Sequence, residues 1–148
     1  ISRHLKLNPY EQGETAVNNV LEKSGRKLEP TIGGSTYIKP SEMTWKPTRF
    51  EKVWIKVLYE NKESGEMTCL LKLDPGAYIP FHKHPELEQS YILEGSVQDH
   101  DGVAHAGDYI WRKPDSNHDN ISPEGAVLFA IYKRPNIYYH AAKESSGF

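Results

Sequence analysis

Cysteine is almost missing from this chain, since Cys69 is the only one in 148 residues. An internal disulfide is thereby excluded, and a lone cysteine in an alternating apolar segment reads as a small core hydrophobe in a reducing, cytoplasmic setting. Charge of one sign is also lacking. Lys and Arg number 18 against 20 Asp and Glu, a net charge of −2, which leaves no electrostatic footprint for nucleic acid or for an anionic membrane. Apolar runs stop far short of the roughly twenty residues that cross a bilayer, and no charged start followed by an apolar run marks a signal peptide. No serine or cysteine stands beside a histidine and a carboxylate as an activated nucleophile would. The length suits one domain, and its expected partners are a small molecule or another protein.

What the chain does have is strand patterning. Val53, Ile55, Val57 and Tyr59 alternate with Trp54, Lys56 and Leu58, and Met67, Cys69, Leu71 and Leu73 alternate with Thr68, Leu70 and Lys72. Between them, residues 61–65 have the composition of a hairpin loop. Asp74-Pro75-Gly76 and residues 99–102 read as turns, 89–97 as two short strands broken at Gly95, and 126–132 as a closing apolar strand. Many short strands with turn signals every eight to twelve residues or so predict an all-β antiparallel sandwich or barrel. The expected organisation is an N-terminal arm over 1–40, a barrel over 41–140 and a fraying polar tail over 141–148. In the arm, Val17, Val20 and Leu21 make a short helical stripe within 14–23 that Gly25 would end. The aromatic run at 136–140 would cover a barrel end or fill a homodimer contact.

The chemistry gathers in residues 76–95. His82 and His84 are two apart, so on a strand their side chains share a face and can converge on one point. With Glu88 they form a borderline donor set, suited to Zn, Fe, Mn, Ni or Cu rather than to Ca or Mg. A further ligand is expected from His118, which a Pro-Asp-Ser-Asn turn would swing onto a neighbouring strand. Glu88 reads either as a ligand or as a carboxylate orienting a ligand imidazole. Glu86 is a competing carboxylate, while His4, His100, His105 and His140 read as surface or satisfied core residues. Strand parity places Tyr78 and Pro80 on the face of His82, Ser90 and Ile92 on that of Glu88, and Asn120 on that of His118. Phe81, Trp54 and Trp111 would line the mouth or enter the core.

These stretches together resemble the two motifs of the cupin superfamily. The first, G-x5-H-x-H-x3-E-x6-G, is matched at Gly76, His82, His84, Glu88 and Gly95. The second, G-x5-P-x-G-x2-H-x3-N, is matched at Gly107 and His118; Pro114 and Ser116 each fall one place late, and Asn120 two places early. The resemblance implies a single-barrel jelly roll, the double-stranded β-helix. The run at 88–93, Asp108 between Gly107 and Tyr109, and Ser122-Pro-Glu-Gly125 resemble the branch of small cupins that includes acetylacetone- and ketone-cleaving dioxygenases and the anti-sigma-factor cupin. That branch implies Fe(II) held by His82, His84 and His118, with Glu88 completing or orienting the shell as the catalytic carboxylate, and cleavage of a C–C bond in a small carbonyl substrate. Zn, Mn or Ni would serve the rival readings, a redox-neutral isomerase or lyase and a noncatalytic ligand-binding sensor.

Overall fold

The computed structural model describes residues 34–140 and 143–146; the helix expected within 14–23 and nearly all of the expected arm lie outside them. Among the described residues the secondary structure is eleven strands and one short 3-10 turn, Pro40–Glu42. The strands are β1 (Lys46–Pro47), β2 (Val53–Asn61), β3 (Glu66–Leu73), β4 (Ala77–Lys83), β5 (Glu88–Gln98), β6 (Val103–His105), β7 (Tyr109–Arg112), β8 (Asn117–Ser122), β9 (Ala126–Tyr132), β10 (Ile137–His140) and β11 (Lys143–Ser146). They pair in the order β1-β2-β3-β9-β5-β8-β4-β10-β11, with β6 and β7 joined to β5. The result, among the described residues, is a curled, wholly antiparallel sheet, the all-β architecture that the alternation predicts. No helix of the described residues is long and apolar enough to cross a membrane.

Local chemistry explains the turns. In the β2–β3 hairpin the Asn61 side-chain oxygen accepts hydrogen bonds from the amides of Glu63 and Ser64 at 3.0 and 3.2 Å, the Asx arrangement that makes Asn a turn residue. Two expectations need correction. Residues 88–98 form a single strand rather than two, because Gly95 keeps the ladder running through a bend. Its φ is +69°, and a Cβ there would lie 1.9 Å from the Gly125 carbonyl oxygen. The bend, with a bulge between Ile92 and Glu94, lets β5 pair with β9 and β7 along its first half and with β6 and β8 beyond it. Residues 143–146, expected to fray, pair with β10.

We expect Gly95→Ala to destabilise the fold by at least about 2 kcal/mol, since it combines a disfavoured φ with a backbone clash that no side-chain rotation relieves. A urea midpoint equal to that of the parent would contradict the close approach of residues 95 and 125.

The inner faces of β2, β3, β5 and β9 supply the core: Val53, Leu71, Leu73, Ile92 and Ala130 are buried, as is Cys69. Each fully buried aliphatic side chain contributes about 1.5–3 kcal/mol relative to exposure. Cys69 is the core hydrophobe its position suggested, and burial pushes its thiol pKa up. Val57 and Tyr59 lie partly open to solvent, unlike Val53 and Ile55, and a register shift follows Val57. Of the aromatic residues assigned to the mouth or core, none is fully buried. Trp111 and Phe81 are exposed on the outer face, and Trp54 is half-buried, donating its Nε1 proton to Asp74 Oδ2 at 2.7 Å.

Candidate metal centre

His82 lies in β4, His84 just beyond its end, and His118 in β8, the antiparallel neighbour of β4 with Cα register His82↔His118. Alternation alone would put Tyr78 and Pro80 on the face of His82. Instead Tyr78 is exposed and Pro80 half-buried, while Ala77 and Ile79 point inward. The cause is an irregularity between Ile79 and His82, where β4 spends three residues against two of β8. Pro80 sits inside it, consistent with a residue that has no amide to give a ladder. Parity therefore switches, and Ile79 and His82 both face the interior.

His82, His84 and His118 are all buried, and one ring nitrogen from each lies within 4.8 Å of the others. The ring centroids are 4.6–5.0 Å apart. Each Nδ1 has a partner away from this point: the Pro80 carbonyl at 2.7 Å for His82, Ser116 Oγ at 2.9 Å for His84, and Asp99 Oδ2 at 2.9 Å for His118. A carbonyl and a carboxylate only accept, so His82 and His118 carry their protons on Nδ1. The Ser116 hydroxyl donates to the Lys113 carbonyl at 2.7 Å, which leaves its oxygen to accept from His84 Nδ1. All three imidazoles are thus fixed in the tautomer whose bare Nε2 faces inward, the form in which histidine binds metal.

Electrostatics agree. Burial lowers the pKa of His82 to about 4, and burial with the nearby Arg112 guanidinium lowers His84 to about 4 and His118 to about 2. All three are neutral at pH 7. His84 Nε2 makes no hydrogen bond although Glu88 Oε2 is 3.3 Å away. With the ring neutral and its proton on Nδ1, this proximity sets a lone pair against a carboxylate oxygen. Two such groups repel in a buried setting, and a cation between them removes the repulsion. The three-histidine cluster therefore fits a divalent metal ion.

Glu88 borders this cluster, its Oε2 3.3 Å from His84 Nε2. Its Oε2 accepts a hydrogen bond from Asn136 Nδ2 at 2.8 Å, and its Oε1 is 3.6 Å from Arg112 Nη1. Arg112 also donates to Asp99 Oδ2 at 2.8 Å, so one guanidinium bridges the carboxylate beside His84 and the carboxylate behind His118. Burial by itself would raise the pKa of Asp99, but hydrogen bonds from Arg112, His118 and the Asp101 amide outweigh it and hold Asp99 at about 2. Its charge keeps the His118 proton on Nδ1. Ser90, Ile92 and Asn120 are buried as their parity predicts. Ser90 and Asn120 line a cavity of about 20 Å³ with His82, Glu88 and His118, and neither Ser90 Oγ nor Asn120 Oδ1 has a hydrogen-bond partner. Glu86, His100 and His105 lie outside the cluster.

Asp99, Arg112, Ser116 and Asn136 escape the sequence reading. Asp99 reads only as a turn residue there, and nothing in its spacing points to His118. The second motif's departures resolve at residue 115: Asp115 takes the left-handed backbone, φ +65°, which Asp tolerates better than most residues. Ser116, taken as a substitute for a glycine, instead holds His84 through its side chain and through its carbonyl, which accepts the His84 amide at 2.9 Å.

Residues 34–136 match the family model of the ChrR cupin-like domain. Among solved structures, an acetylacetone dioxygenase from Acinetobacter johnsonii aligns with a TM-score of 0.69 at 14% identity, over 82% of this chain and 91% of that one. An RmlC-like cupin protein from Ralstonia eutropha JMP134 aligns at 0.68 and 22% identity, over 76% and 80%. The complex of Rhodobacter sphaeroides SigE with the anti-sigma ChrR aligns at 0.55 and 18% identity, over 88% of this chain and 70% of that one. At these identities the likeness is one of fold. No curated protein sequence matches the chain.

Proposed function

Since the chain belongs to the ChrR cupin-like family, we propose that it is a metal-dependent cupin acting as an Fe(II) dioxygenase that cleaves a C–C bond in a small carbonyl compound. The observation that carries this reading is the set of three neutral imidazoles whose Nδ1 atoms are all engaged outward while their Nε2 atoms converge. The A. johnsonii acetylacetone dioxygenase shares the fold, and that supports the choice of reaction class. His82, His84 and His118 would hold the ion, and Fe(II), when bound, would supply a Lewis acid for carbonyl oxygen together with reducing electrons for dioxygen.

The rest is the work of the chain's own groups. Pro80, Ser116 and Asp99 hold the imidazoles in one orientation and one tautomer, so no proton has to leave before metal binds at neutral pH. Glu88, fixed by Asn136 and facing His84, is placed to accept the proton lost from the carbon between two carbonyls. Ser90 Oγ and Asn120 Oδ1 offer hydrogen-bonding capacity to a small polar guest beside the histidines. The buried barrel interior keeps bulk water from the reacting groups.

The test is oxygen consumption by iron-loaded protein across a panel of diketones and hydroxyketones. Uptake in stoichiometric proportion to substrate lost, with two carbonyl-containing fragments formed, is the expected result. Anaerobic proton exchange beside a carbonyl with no oxygen uptake would replace this reading with the redox-neutral isomerase or lyase.

A further inference from the structure

The cavity beside the histidines measures about 20 Å³, space for about one water-sized group and no more. A ketone of several carbon atoms needs room elsewhere. A second chamber of about 420 Å³ lies at the end of the barrel where β2 finishes, β3 starts and β9 finishes. Two residues, Tyr132 and Asn136, line both spaces. Its volume falls within the roughly 300–1,000 Å³ of small-molecule sites, and Ile55, Val57 and Met67 give it an apolar wall with Thr48 and Asn136 as polar points. The charged residues on its lining, Glu60 and Lys62, are exposed and of opposite sign. They select neither anions nor cations.

We infer that this outer chamber binds the protein's organic ligand, a neutral and largely apolar carbonyl compound, and that Asn136 forms the partition between it and the metal cavity. The choice of ligand class rests on the dioxygenase reading above; the chamber itself does not. Asn136 is suited to the partition by its place in the loop between β9 and β10 and by its buried amide, whose Nδ2 donates to Glu88 Oε2 at 2.8 Å. The side chain that walls the chamber is therefore the one that holds the carboxylate facing His84. A ligand seated in the chamber lies against Asn136, one of the two residues that line both spaces.

The chain has two methionines, Met43 and Met67, and of these Met67 lines the chamber. Methyl-labelled methionine therefore reports occupancy without turnover. Titrating Zn(II)-loaded protein with pentan-2-one, a ketone that does not chelate, is expected to move the Met67 methyl resonance in a saturable way and to leave Met43 in place. Val57→Trp fills the chamber from a partly exposed strand position, so the fold tolerates it; it should weaken pentan-2-one binding by about tenfold or more with Zn(II) affinity unchanged. A Met67 signal unmoved at saturating ketone, or a Val57→Trp variant that still binds it as the parent does, overturns the inference. If Val57→Trp abolishes binding while iron-loaded parent consumes no oxygen with any ketone, the chamber stands and the dioxygenase reading falls.

Discussion

His118→Ala and His82→Ala should each abolish stoichiometric binding of Fe(II) or Zn(II), whereas His105→Ala should bind like the parent. The three converging nitrogens lie on buried side chains locked by outward hydrogen bonds, so no neighbouring imidazole can take the place of a missing one. His105 is exposed at the end of β6 and has no part in the cluster. Losing an outer partner of a ligand histidine typically costs about 10–100-fold in metal affinity. Ser116→Ala, which frees His84 Nδ1, belongs in that range, and removal of a ligand itself should exceed about 100-fold. Isothermal titration with Zn(II) measures the whole series. Stoichiometric tight binding by His118→Ala or His82→Ala would dissolve the proposed site.

Metal-free protein should lose stability steeply as pH falls below 6.5. His82 and His84 titrate at about 4 and His118 at about 2 when folded, against 6.5 in the unfolded chain. Between pH 6.5 and 4 the unfolded state therefore binds up to three protons that the folded state refuses, and stability rises with pH across that window. At about 1.4 kcal/mol per proton per pH unit, the slope approaches about 4 kcal/mol per unit at its steepest. Asp99 acts in the same direction lower down. Its folded pKa of about 2 lies below the ordinary 3.8, so its contribution is complete above 3.8 and disappears as pH falls toward 2. Bound metal, which needs the same neutral imidazoles, should raise the urea midpoint by a similar amount from neutral pH down to about 5, and lose that effect only as pH falls through the folded pKa of about 4. Equal midpoints for the metal-free protein at pH 7 and 4.5 would contradict burial of three neutral imidazoles.

Part of the histidine cluster was legible before any fold because it is local. His82 and His84 are two residues apart, whereas His118 was reached only through the second motif, 34 residues on, and joins them because β8 pairs with β4. The strands announced themselves through period-two alternation at 53–59 and 67–73 and through the apolar run at 126–132. Alternation misled wherever the backbone broke step. The irregularity around Pro80 reversed the parity of Tyr78, β2 broke register after Val57, and Gly95 marked a bend inside one strand rather than an end. A bulge adds one residue to one side of a ladder, and the sequence of that side alone does not reveal it.

By itself, then, the sequence determined the type of fold and pointed to the three histidines that the fold brings together, because side-chain period and ligand chemistry are properties of neighbouring residues. Only the tertiary structure decided which nitrogen of each histidine is bare, where Glu88 stands, and how the metal cavity meets the outer chamber. Asp99 reaches His118 from the end of β5, Arg112 reaches Glu88 and Asp99 from β7, and Asn136 reaches Glu88 from the loop before β10. Those contacts join residues 13–48 positions apart that strand pairing alone brings together. The separation of Asp99 and Arg112 is 13 and that of Glu88 and Asn136 is 48, distances over which no local pattern carries information.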